Sequence, residues 1–476
     1  MGNIGHMQTR LAKYYLDRLR TANTIYRRGA TSSAESTSML GQDWGQIAQW
    51  QAWAAAQSPL DQEAARLCAS YAQDGADILN ARQNPQERAA WLEAGLAAAQ
   101  ALGDGRATAA CLLGLAWALY KTEVERAEDV ARQALAQSKR IHDTLLIGQS
   151  LHLLGEMAMR RETLEDAEQQ LLQSATLLQA LDAQAALADV CFSLSELMYW
   201  RGLPERAYTY ALQCYHIQQR LGLNQSINNN LTWLGLMTIE TGDFSAGEQY
   251  VRQSEALCRA VGARSTLVHT LSALCELMII RKDAAQARAY VQEALKIAQD
   301  IDEAWLLPIL FVHSGAIHAL TGNYEAAQHD TRQALKLVRA SGNRSVQIYV
   351  LMHLAEFQLA VGALEAASAA LSESMHAAVQ ANNHRDIVYG VFVAIKLWCR
   401  RGDTLCAAEW VELLLSLRGV DYALRCDLAA LRAELLGLLG PDLFAAAAKR
   451  GKQLELQPVA RQIAAALTEA EHTPAG

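Results

Sequence analysis

Apolar positions along most of this chain recur at spacings of three and four. In residues 345–361, Val346, Val350, Leu351, Leu354 and Leu359 fall mainly on one helical stripe; in residues 364–380, Leu364, Ala367, Leu371, Met375 and Ala378 do the same. This spacing predicts two amphipathic helices and not strands, whose apolar positions would alternate. The pair belongs to a series. A small residue recurs at Ala127, Ala167, Ala207, Gly247, Ala287, Ala327, Ala367 and Ala407, every 40 positions. A second series runs Gly155, Ser195, Gly235, Cys275, Gly315 and Ala355. A third runs Ala134, Ser174, Cys214, Ser254, Ala294, Ala334 and Ser374. Self-similarity at such a period predicts a solenoid, in which each unit packs only on its neighbours. Small residues mark the places where two helices approach closely, and bulk there would overpack the contact by roughly 1–3 kcal/mol.

Glycines share the grid at Gly202, Gly242, Gly322, Gly362 and Gly402. Thr241-Gly242-Asp243, Gly322-Asn323 and Arg401-Gly402-Asp403 combine a glycine able to end one helix with an Asp or Asn able to cap the next. From Gly155 the next small positions come at Ala167 and Ser174. That pattern resembles the tetratricopeptide repeat, with a unit of 40 residues in place of 34 and most consensus aromatic and proline positions absent. The resemblance covers about 300 residues. It implies an all-α, right-handed superhelical solenoid of about eight helix pairs, with irregular helical caps at both ends.

Composition narrows the function. Hydrophobic residues make up 51%, and there are only 7 prolines, as long close-packed helices require. The net charge of −8 argues against a general nucleic-acid surface, which would be basic. The nine cysteines include no C-x-x-C pair and read as reduced core residues of a cytoplasmic protein. No apolar run is long enough to span a bilayer, so no membrane partner is expected. Met1 to Met7 reads as a remnant of cloning.

Outside the grid the chain divides as follows. Residues 8–95 are expected to form an N-terminal helical adaptor or cap. It would include an amphipathic helix at 8–27, a mobile loop at 28–41, a helix carrying Trp44, Trp50 and Trp53, a helix from Glu63 to Leu79, and another opening at Pro85. The solenoid is expected over 96–440, a C-terminal helical cap over 441–470 and a disordered tail over 471–476.

The two flanks resemble a second family. Glu87 to Leu96, running on to Ala101-Leu102-Gly103-Asp104, is similar to the entry into the repeats of bacterial STAND regulators, signal-transduction ATPases with an NB-ARC or NACHT nucleotide-binding domain. Asp43-Trp44-Gly45-Gln46-Ile47 resembles the helical segment after their ATPase and winged-helix domains. Leu443 to Leu456 resembles their closing helices and those of related large transcriptional activators. No G-x-x-x-x-G-K-[ST] occurs, so the chain lacks a phosphate-cradling loop. The resemblance implies a sensor region, with an ATPase domain N-terminal to it in the native protein, that binds a trigger and controls the ATPase.

Catalysis is not expected. Ten of the twelve histidines lie between His142 and His384, but His313 and His318 are five apart and His152, His269 and His353 belong to different repeats, without metal-site spacing. No serine sits in G-x-S-x-G and no cysteine has a legible histidine partner. No cofactor and no metal are expected. Chemistry therefore concentrates on the concave face that the first helix of each pair would line. Counting from Gly155 and its equivalents, sites at −6, −3, +1, +4 and +5 are expected there. The binding candidates are His152, Glu156, Phe192, Glu196, Tyr199, Trp200, Asn229, His269, Glu276, Tyr349, Glu356, Tyr389 and Phe392. Glu156, Glu196, Glu276 and Glu356 all stand at +1, among aromatic residues that make good binding anchors. An acidic, aromatic groove suits a protein or peptide trigger carrying basic and apolar groups. It would repel the acidic C-terminal peptides that chaperone-binding tetratricopeptide domains clamp. Two alternatives remain: a small-molecule inducer seated near the apolar sixth repeat, beside His269 and Glu276, and a plain scaffold holding the ATPase closed.

Overall fold

The computed structural model describes residues 2–28, 31–120, 122–301 and 305–472, and the regular structure among them is all α-helix. The N-terminal elements are α1 (Gly2–Arg28), α2 (Thr31–Gln57), α3 (Gln62–Gln73), α4 (Ala76–Arg82) and α5 (Pro85–Ala101). Eight helix pairs follow: α6 (Gly105–Leu119) and α7 (Val124–Arg140), α8 (Thr144–Arg160) and α9 (Leu164–Ala180), α10 (Gln184–Trp200) and α11 (Pro204–Leu221), α12 (Asn224–Glu240) and α13 (Phe244–Val261), α14 (Arg264–Ile280) and α15 (Ala284–Asp300), α16 (Leu307–Leu320) and α17 (Tyr324–Ser341), α18 (Arg344–Ala360) and α19 (Leu364–Ala381), α20 (His384–Arg401) and α21 (Thr404–Ser416). The chain ends with α22 (Tyr422–Leu439), α23 (Pro441–Gly451) and α24 (Leu456–His472). This is an α-solenoid of helix pairs. It divides into two compact units. One comprises Met1–Leu197, Tyr210–Ile227 and Ala260–Gly262; the other comprises Met198–Thr209, Asn228–Arg259 and Ala263–Gly476.

The small-residue grid is the packing grid. Ala127, Ala167, Ala207, Ala287, Ala327, Ala367 and Ala407 are completely buried, as are Ala134, Ser174, Cys214, Ser254, Ala294, Ala334 and Ser374. The glycines of the second series sit where their pair closes. A Cβ on Gly155 would come within 2.7 Å of Leu171, and one on Gly235 within 2.3 Å of Val251 and 2.9 Å of the Gly247 carbonyl oxygen.

Turns follow a shorter period than the glycines suggest. A left-handed residue recurs at His142, Glu162, Asp182, Gly202, Gly222, Gly242, Gly262, Lys282, Gly322, Gly342, Gly362, Asn382 and Gly402, on a step of 20. Position 302 of that series lies outside the described residues. The connection within a pair and the connection between pairs are therefore the same device. Five positions tolerate a side chain at positive φ, so glycine alone under-reports the turn. At several of these turns the next residue caps: Asp243 accepts from the Ala246 amide at 3.0 Å, Asn323 from Ala326 and Asp403 from Cys406, both at 3.2 Å, whereas Thr163, Ala263 and Ala363 make no side-chain cap.

Several flank expectations change. The loop expected at 28–41 is instead the end of α1 and the start of α2, with residues 29 and 30 outside the described set. The stretch contains no proline to break a helix, and α1 packs on α2. The helix expected over Glu63 to Leu79 breaks at Asp74-Gly75 into α3 and α4. Leu19 fills the gap, and a Cβ on Gly75 would come within 2.6 Å of it. Trp44 stacks on Trp91 at 5.7 Å between centroids. At the other end α24 packs on α19 and α20, and α23 packs on α21. From residue 473 the expected tail falls outside the described residues.

Candidate functional site

The first helices of the pairs carry a half-open stripe. At +1, Glu156, Glu196, Leu236, Glu276, Ala316, Glu356 and Lys396 are all half-buried. At −6, His269, Tyr349 and Tyr389 are half-buried and Asn229 is exposed. The −3 line behaves differently in the two units. His152 and Phe192 are half-buried, whereas Thr232, Ser272, Val312, Met352 and Phe392 are core. Phe392 is 2% exposed, so the expectation that it faces a partner is corrected: it packs in the core, with the Lys396 ammonium 4.1 Å from its ring centroid and the Tyr389 ring at 6.0 Å. At −2 only Trp233 and His353 are half-buried, whereas Leu153, Ser193, Ala273, His313 and Val393 are core. The sites counted from Gly155 do not include −2, and periodicity alone does not separate these two from the buried residues at the same site.

In the first unit, His152, Glu156 and Glu196 come together with Trp117, Tyr120 and Arg160. Tyr120 donates its hydroxyl to Glu156 Oε2 at 3.3 Å, and His152 Nε2 lies 2.9 Å from Ser193 Oγ and 3.9 Å from Glu156 Oε1. Trp117 stands 5.6 Å from both the Tyr120 and His152 rings. The Arg160 guanidinium turns away from the carboxylates: it donates to the Tyr120 carbonyl at 2.6 Å and lies over the Tyr120 ring. Burial, and then the charge of Glu156, push Glu196 well above the usual carboxylate range. Burial also lowers His152 against the opposing pull of Glu156.

The second unit holds two clusters. On α18 and α20, Tyr389 donates to Glu356 Oε2 at 2.6 Å and lies 3.3 Å from His353 Nδ1. Lys396 Nζ donates to Glu356 Oε1 at 2.5 Å. Tyr349 meets His353 edge-on at 4.5 Å. Burial opposes ionisation of Glu356, but Lys396 and then His353 outweigh it and hold the carboxyl below its ordinary value. Burial pushes Tyr349 and Tyr389 far up, with carboxylates adding to the shift. The other cluster joins Tyr199 and Glu240 to Trp233 and to Arg385. Burial, then Asp421 and Glu276, raise Glu240; burial, then Asp421, push Glu276 up to about 7. Tyr120, Arg385 and Asp421 were not legible as site residues: Tyr120 reaches Glu156 from the preceding repeat, and Arg385 meets Glu240 across 145 positions.

The remaining candidates are scattered. His269 packs on Trp305 at 4.7 Å, Trp200 is half-buried and Asn229 points outward. A separate cleft of about 560 Å³ between α18 and α19, lined by Arg344, Gln347, Glu373, His376 and Gln380, contains none of the candidates.

These clusters can hold cationic and aromatic groups. Burial pushes the Cys68, Cys191 and Cys275 thiols up to about 12, which suits core residues. Among the described residues no group of three His, Cys, Asp or Glu is placed to hold a metal ion, and no helix is long and apolar enough to cross a membrane.

No family model matches the chain, and no curated protein matches it. Its likenesses among solved structures are to helical-repeat proteins. NprR in complex with its cognate peptide NprX aligns at 13% identity over 75% of this chain and 98% of that one, with a TM-score of 0.49. Aspartyl phosphate phosphatase F from Bacillus subtilis aligns at 9% identity over 69% and 93%, also at 0.49. A signal-transduction ATPase with numerous domains and a tetratricopeptide repeat sensor, from Pyrococcus horikoshii, aligns at 13% identity over 95% and 74%, at 0.45. All three likenesses are distant.

Proposed function

We propose that this chain is a non-catalytic recognition module that binds a protein or peptide trigger along the stripe of its first helices. The supporting observation is the +1 line, where Glu156, Glu196, Glu276 and Glu356 stand half-buried beside Tyr120, Tyr349 and Tyr389. Carboxylates partly removed from water gain from a cation that replaces their hydration, and flat rings give that cation's apolar neighbours a surface. The trigger is thus a segment with basic side chains flanked by apolar ones. The flank resemblances support a cytoplasmic sensor that controls a STAND-type ATPase lying N-terminal to it. A second reading, a small-molecule inducer, is favoured by the cage of Tyr349, His353, Glu356 and Tyr389, which could enclose one compact cationic ligand. Capture from native lysate, read by mass spectrometry for proteins and small molecules, separates the two. A protein captured by the natural chain and lost from the folded Glu196→Lys/Glu276→Lys variant supports the recognition module. Equal capture by that variant sinks it, and a stoichiometric small molecule without a protein favours the second reading.

A further inference from the structure

Glu240 ends α12, and the cation facing it comes from 145 positions along the chain. Arg385, in the first turn of α20, donates from Nη1 to Glu240 Oε1 at 2.5 Å, and its guanidinium lies over the Tyr199 ring, 4.5 Å from the centroid. Tyr199 donates its hydroxyl to the same oxygen. Trp233 meets Tyr199 edge-on at 4.8 Å. A carboxylate and a flat ring thus hold one guanidinium, with Trp233 backing that ring, an arrangement that planar delocalised cations favour. Further acids lie close by: Glu276 and Asp421 act on Glu240, and Asp421 and Asp386 act on Arg385. Access is open, since the Arg385 side chain is 41% exposed.

The contact seats a whole segment. The His384 ring lies against Gly202 so closely that a Cβ there would come within 2.1 Å of it, and Tyr422 lies against Gly242, 2.7 Å from a Cβ placed there. The equivalent turn glycines Gly322, Gly362 and Gly402 have nothing within 4 Å of such a Cβ. The first turn of α20 and the start of α22 are therefore docked on the α10–α11 and α12–α13 turns, and Arg385 is the charged centre of that docking.

We infer that Tyr199, Trp233 and Glu240 form a guanidinium-binding site that the chain fills with its own Arg385, and that an arginine of a bound peptide takes the site by displacing Arg385. The idea of a peptide ligand rests on the function proposed above; the guanidinium site rests on its own residues. Exchange of one guanidinium for another leaves the buried carboxylate paired throughout, so no uncompensated charge is created. A tethered side chain competes at a high effective concentration, so the filled state masks the site's intrinsic affinity. Displacement would release the first turn of α20 from the α10–α11 turn, which couples ligand arrival to the C-terminal pairs.

The test uses the full chain and two probes, N-acetyl-arginine amide and its neutral isostere N-acetyl-citrulline amide, with binding followed by saturation-transfer NMR. Arg385→Ala should bind the arginine probe at least tenfold more tightly than the natural chain does, should discriminate against citrulline by a similar factor, and should lose both gains when Glu240→Gln is added. Arg385→Gln, which keeps most of the stem, serves if the alanine variant melts early. In the natural chain, saturating arginine probe should speed hydrogen exchange of the amides in the first turn of α20. Equal affinity of the natural chain and the Arg385 variants, or equal binding of the two probes, overturns the inference, as does unchanged exchange at saturation. Lysate capture lost on Glu196→Lys with no arginine preference would fail this inference alone; the converse would fail the groove reading alone.

Discussion

Glu156 and Glu356 occupy the same register site, yet their surroundings are opposite. Forty positions on from Glu356 stands Lys396, which pairs with it and keeps it ionised. Forty positions on from Glu156 stands Glu196, a like charge, and the nearby Arg160 is committed to Tyr120. One repeat therefore satisfies its carboxylate from the next repeat, and the other compounds the charge. In a solenoid the residue at the same site of the following unit decides the electrostatics of each site, because stacking brings equivalent positions together. The comparison marks the first unit's pair as the one with most to gain from an external cation.

The comparison breaks most sharply at position 396. Lys396→Glu would give α18 and α20 the like-charge pattern of α8 and α10 and leave Glu356 without its cation, a loss of about 2–3 kcal/mol. A fall in the midpoint of urea denaturation with little change in slope is the expected result. The reciprocal change, Glu196→Lys, should stabilise modestly; if both variants melt like the natural chain, the contrast has no energetic content. Next come the turns. Gly202→Ala and Gly322→Ala impose similar positive-φ strain, about 1 kcal/mol, but only the first adds a clash with His384. Gly202→Ala should lower the melting temperature beyond Gly322→Ala and should raise proteolysis near residue 384. The smallest effect concerns pH. Burial raises Glu276 from 4.5 to about 7, so its protonated form favours the fold. The stability this contributes is complete below about pH 4.5 and is lost as pH rises through about 7. Glu276→Gln should therefore remove part of the loss of stability between pH 5 and 8, a difference of roughly 2–4 °C in melting temperature for each kcal/mol involved. Parallel melting curves at both pH values would place Glu276 in freer contact with water.

How much of this was legible follows from what each residue type has to do. The close approaches were readable because only a small side chain fits them; Gly155, Gly235 and Ala327 show it at the level of single atoms. The +1 glutamates were readable because their register survives stacking. The −3 line was misread as open in the second unit, since Thr232 and Phe392 look no different in sequence from residues that face water. The turns were only half readable: His142, Glu162, Asp182, Lys282 and Asn382 adopt the glycine conformation without being glycine. Arg385 was beyond reach, because nothing in the local pattern around α20 specifies a partner 145 positions earlier.

The recurrence of a left-handed residue every 20 positions has an evolutionary consequence. A helix-plus-turn segment of that length is a complete building block, so duplication or deletion of two such blocks removes or adds one pair and leaves every surviving face in place. A single inserted residue inside a helix is another matter. It rotates everything beyond it by about 100° and carries the next carboxylate off the stripe and into the packing. Descendants of this chain should therefore vary freely in number of pairs while the length of each block stays fixed, with ragged lengths confined to the flanks outside the series.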